Sequence, residues 1–110
     1  MTSPANELRT AATLLKKRLA DPALTPGPWL SHDHGDRILY DGPDTETAPP
    51  IYVVDEPMSN GANAQWIETM HPGVGAALAA WLDSAADDAE QIGPDHHALA
   101  VARQINARTP

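Results

Sequence analysis

Two short stretches decide the fold: Leu24-Thr25-Pro26-Gly27-Pro28-Trp29 and, further along, Asn63-Ala64-Gln65-Trp66-Ile67. In the first, two prolines fix φ and the glycine between them tolerates dihedrals closed to other residues, so the chain turns a stiff corner and runs into a strand at Trp29. The second starts a helix with an aromatic already in its first turn. Both stretches place a tryptophan beside a change of element, and this pattern predicts tryptophans that join a small sheet to helices.

Working outward from the corner, Leu8, Ala11, Ala12, Leu15 and Leu19 recur at three-to-four spacing and predict a helix from about Asn6 to Ala20. Lys16, Lys17 and Arg18 fall in its last turn, where cations suit the helix dipole, and Asp21-Pro22 ends it. Trp29 to Ser31, Arg37 to Tyr40 and Ile51 to Val54 read as short strands, the last of them β-branched and aromatic. Residues 41–50 are rich in Pro, Asp, Thr and Gly and read as an exposed loop. Asn60 or Asn63 can cap the helix carrying Trp66, Ile67 and Met70, which His71-Pro72-Gly73 interrupts. A third helix is expected from about Gly73 to Gln91, with Val74, Leu78, Trp81, Leu82, Ala85, Ala89 and Ile92 along its buried side. After Gly93-Pro94, a last helix from about Asp95 to Ala107 buries Ala98, Val101, Ala102 and Ile105. The expected fold is therefore α+β: an N-terminal helix, a small three-stranded antiparallel sheet, then three helices packed on it. One small domain covers residues 1–110, and its core is built on Trp29, Trp66, Trp81, Ile67 and Leu78.

Composition bounds what such a domain can do. The 110 residues suit one domain of modest core. With no Phe and only 5% aromatic residues, Leu, Ile, Val, Ala and three Trp must fill the interior. Burial across a homodimer is one way to thicken so lean a core. The absence of cysteine removes disulfides, zinc–thiolate sites and thiol catalysis. No run approaches the ~20 apolar residues that span a bilayer, so a soluble cytoplasmic protein without membrane contact is expected. The net charge of −8 is uneven: residues 1–20 carry four bases against one acid, while residues 21–95 carry fourteen acids against Arg37 alone. That acidic middle argues against direct nucleic-acid binding, which needs clustered Lys and Arg, and raises the alternative of an acidic mimic that occupies a nucleic-acid-binding protein.

Five histidines are the chief catalytic material: His32, His34, His71, His96 and His97. His32 and His34 alternate, so on a strand they share a face and form a candidate metal pair. A metal-binding protein or metal-dependent enzyme built on them needs further ligands, for which Asp36, His71 or the His96-His97 pair stand available. Neighbours on a helix diverge by about 100°, which works against His96 and His97 holding one ion. Asp55-Glu56 and Asp87-Asp88 are paired carboxylates; Asp55, at a strand end, is the better placed for acid–base chemistry. Asp83, Asp87, Asp88 and Glu90 form the wet side of the third helix and can pair with Lys16, Lys17 and Arg18 if the first helix lies alongside. Ser3, Ser31, Ser59 and Ser84 lack a nucleophile elbow, and Gly73-Val74-Gly75 lacks the context of a phosphate loop. No catalytic residue and no cofactor emerges from these patterns.

The order Thr-Pro-Gly-Pro-Trp (25–29), a variable β segment, Asn-Ala-Gln-Trp-Ile (63–67), then an Ala/Leu-rich helix resembles small proteins of actinobacteria and their phages. It is loosely similar to the Ea22-like phage proteins. The ending Ala98-Leu99-Ala100-Val101-Ala102-Arg103 fits the same resemblance, which spans about residues 8–105. Trp66 stands where those proteins often carry Phe. The resemblance implies a non-enzymatic accessory protein of phage or mobile-element origin acting through protein–protein contacts, and it transfers no catalytic residue.

Overall fold

The computed structural model of the chain describes residues 2–32, 37–40, 52–54 and 61–107, with His32, Arg37, Leu39 and Tyr40 described by backbone alone. Its elements are α1 (Pro4–Leu19), β1 (Trp29–His32), β2 (Arg37–Tyr40), β3 (Tyr52–Val54), α2 (Gly61–Thr69), α3 (Pro72–Gln91) and α4 (His96–Asn106). The chain divides into two compact units, one of Met1–Asp21 with Ala76–Pro110, the other of Pro22–Gly75.

In the first unit the helices are set by their ends. Ser3 caps α1 by accepting the amide of Asn6 at 3.2 Å, and Pro4 occupies the opening turn, where its missing N–H costs nothing. Gly93, at φ +96°, follows the last turn of α3 in the left-handed region that favours glycine. Asp95 then caps α4, accepting the amides of His97 at 2.8 Å and Ala98 at 3.2 Å. Between these ends Leu8, Ala11 and Ala12 of α1, Leu82, Ala85 and Ala86 of α3, and Ala98, Leu99 and Ala102 of α4 form one buried cluster. Six of those nine side chains are alanine, which lets the backbones of α1 and α4 approach closely but supplies little apolar area per residue.

Charge on the rim fixes the register. Arg9 forks across to α3, its Nη1 donating to Glu90 Oε1 at 2.6 Å and its Nη2 to Asp87 Oδ1 at 3.2 Å. Lys16 donates to Asp83 one α3 turn earlier. Rising numbers on α1 thus meet falling numbers on α3, so this pair is antiparallel. Glu7 receives Arg103 of α4 through both oxygens at 3.2 and 3.3 Å, and its carbonyl accepts from Asn106 Nδ2 at 3.0 Å. These pairs are exposed, so they orient the helices more than they stabilise them.

The second unit holds the strand segments and α2. Trp29, Leu30, Ser31 and His32 of β1 lie opposite Tyr40, Leu39, Ile38 and Arg37 of β2. Ile38 and Leu39 face Val54 and Tyr52 of β3 through an irregular register. Ile38 is fully buried, and α2, which contacts β1 and β2, buries Ala64.

The chain is mainly helical rather than the expected α+β, with helices of 16, 9, 20 and 11 residues against strand segments of 4, 4 and 3. A three-stranded sheet serving as the platform for three packed helices is not what forms. The buried face of α1 and those of α3 and α4 meet one another around their own cluster, while α2 lies against the strands of its own unit. Six of the nine side chains in that cluster are alanine, so the helices meet through small residues rather than across a sheet.

Candidate functional site

The Pro26-Gly27-Pro28 corner is held by His71. The imidazole sits so close to Gly27 that a Cβ there would stand 2.7 Å from His71 Nδ1, and a Cβ at Gly73 would stand 2.6 Å from His71 Cε1. The ring therefore lies between two positions that only glycine can occupy without something shifting. His71 also opens α3: its Nδ1 accepts the amide of Gly73 at 3.1 Å and its carbonyl accepts the amides of Val74 and Gly75 at 3.0 and 3.2 Å. That bond makes His71 Nδ1 a side-chain cap at the start of α3. On the other side of the corner, Trp29 Nε1 donates to the carbonyl of Thr25 at 3.2 Å. Glu68 of α2 reaches β1 and takes the amide of Ser31. The opening motif is thus an elbow clasped by α2 and the start of α3.

With α2 fixed this way, its phase is set. Ala64 is buried and Ile67 and Glu68 are half-buried, one face of the helix. Trp66 stands two residues from Ala64, about 200° round the axis, and so points away from the strands. It is 67% exposed, and Met70, one turn later, is exposed beside it. Ala62, Asn63, Gln65 and Thr69 complete this outer side. The expectation that Trp66 anchors the core is overturned by that rotation.

The other expected residues fall as follows. Trp29 and Ile67 are half-buried in the second unit, and Leu78 is half-buried on α3. Leu82 and Ala85 of the expected α3 stripe are buried together with Ala79 and Ala86, whereas Trp81 is 39% exposed and Ile92 84% exposed. His96 and His97 are exposed at the start of α4. The metal pair of His32 and His34 cannot be placed: His34 lies outside the described residues, as do Asp33, Asp36, Asp55 and Glu56, and His32 is described by backbone alone. Among the described residues no group of three His, Cys, Asp or Glu side chains gathers as a metal site. The expected pairing of Lys16 with the acidic side of α3 is present, and Arg9, which sequence reasoning passed over, is the stronger partner there. The Arg9 hydrogen bond holds the Glu90 carboxyl below its ordinary value, helped by the guanidinium charge, and Glu90 in turn raises Arg9. Sequence reasoning also passed over Glu68 and the ring of His71 as clasps; the glycines at 27 and 73 were the available signal.

No family model, curated protein or solved structure matches this chain. Among the described residues no helix is long and apolar enough to cross a membrane.

Proposed function

We propose that this chain is a non-enzymatic accessory protein of phage or mobile-element origin that works by protein–protein contact, with Trp66 on the outward side of α2 and Met70 just past its end as the contact surface. The observation that carries the reading is the exposure of Trp66, together with Met70 just past the helix end, on the outward side of a helix whose inward side is clasped to β1. A tryptophan left in water by its own unit is a costly surface residue, and rigid aromatics with neighbouring Met are the side chains that anchor interfaces. The origin rests on the resemblance carried by residues 25–29 and 63–67. A homodimer through this face is one form the contact takes.

The acidic-mimic alternative loses ground at one place. Asp83, Asp87 and Glu90 are engaged by Lys16 and Arg9 of the same unit, so their charge is partly spent within the chain. The test is affinity capture from host cytoplasm with the wild type and with Trp66→Ala, alongside light scattering of both. A partner or dimer retained by the wild type and lost at least tenfold by Trp66→Ala supports the reading. Equal capture by both, with a monomer throughout, refutes it.

A further inference from the structure

In an antiparallel ladder successive amides point to alternate sides. The Ser31 amide goes to Glu68, so it points to the side of β1 away from β2, while those of Leu30 and His32 point to β2. An edge of this kind is a template for another strand, and natural proteins block such edges with short strands and charges. Here the strand is four residues long and its central outward donor is already taken by a carboxylate. The segment is also self-complementary. Two copies of β1 related by a twofold axis at Leu30 would exchange hydrogen bonds between Trp29 and Ser31, and each exchange needs the Ser31 amide. Leu30 is 48% exposed and shares a face with Tyr52, 44% exposed, since both lie opposite Leu39. Pairing at this edge would therefore extend an apolar row from one copy into the next.

We propose that Glu68 is an edge guard: by holding the Ser31 amide it keeps β1 from pairing with β1 of a second copy. This role is independent of the Trp66 surface. The experiment compares the wild type with Glu68→Gln, Glu68→Ala and Glu68→Ala/Ser31→Pro by sedimentation over a concentration series and by amide exchange at Ser31. Loss of a hydrogen bond to a charged group should speed Ser31 exchange about tenfold or more at low concentration. Self-association should strengthen by a similar factor in Glu68→Ala, less in Glu68→Gln, and return to the wild-type level when proline removes the Ser31 amide. If Glu68→Ala loses its helical circular dichroism, Glu68→Gln decides alone. Unchanged Ser31 exchange with unchanged association, or association that persists in the proline variant, overturns the proposal.

Discussion

Replacing Gly27 by alanine probes the elbow directly. The new Cβ would stand 2.7 Å from His71 Nδ1 and 3.4 Å from Pro72 Cδ, so the ring must move. It has little freedom to do so, since Nδ1 is bonded to the Gly73 amide and Cε1 already occupies the space beside Gly73. Overpacking of this sort costs about 1–3 kcal/mol. Without the ring, Gly→Ala at a compatible position is favourable by about 0.4–1 kcal/mol, because the unfolded chain has fewer states to lose. His71→Ala itself should cost about 1 kcal/mol through the lost cap. The two changes should therefore couple by about 2 kcal/mol in a double-mutant cycle: Gly27→Ala destabilises the wild type and is neutral or stabilising in His71→Ala. Urea unfolding measures the totals, and amide exchange across residues 22–75 assigns them to the right unit. A coupling within about 0.5 kcal/mol of zero would refute the steric clasp.

Three further outcomes follow from the helical unit. Leu82→Ala, at a fully buried site, should cost about 2–5 kcal/mol in thermal or urea unfolding, the neighbouring alanines being too small to refill the space. Asp95→Ala should cost about 1 kcal/mol and release the amides of His97 and Ala98 to faster exchange, whereas Asp95→Asn should retain most of the cap. Because the folded-state carboxyl of Glu90 lies below its ordinary value, its contribution is present above the ordinary glutamate range and is lost as pH falls through that range. Arg9→Met should flatten that part of the stability–pH curve, and added salt should weaken it in the wild type.

How much of this was legible in the sequence depends on side-chain size. Turn and cap residues read well: Asp21-Pro22, Gly93 and Asp95 mark helix ends close to where they occur. The start of α1 lies two residues earlier than its periodicity suggests, and the Ser3-Pro4 pair was the signal for it. The phase of α2 did not read well, and that of α3 read only in part. For α3 the expected stripe held at Leu82 and Ala85, which are buried, but it gave weight to Trp81 and Ile92, which are exposed, and passed over Ala79 and Ala86. Alanine stripes were legible where a leucine or valine shared the face, as at Leu8, Ala11 and Ala12 or Ala98, Val101 and Ala102, but no periodicity says whether such a stripe meets another helix or a sheet. The Gly27 elbow was visible as a corner, but its cause, a histidine ring more than forty residues away in sequence, needs three dimensions.

The claim that the protein turns Trp66 outward as a contact surface is tested most directly by the stability of Trp66→Ala measured in isolation. At 67% exposure the substitution should change the unfolding free energy by no more than about 0.5 kcal/mol while abolishing partner or self-association. A loss of about 3–5 kcal/mol, the cost of truncating a buried tryptophan, would return Trp66 to the core and contradict the account.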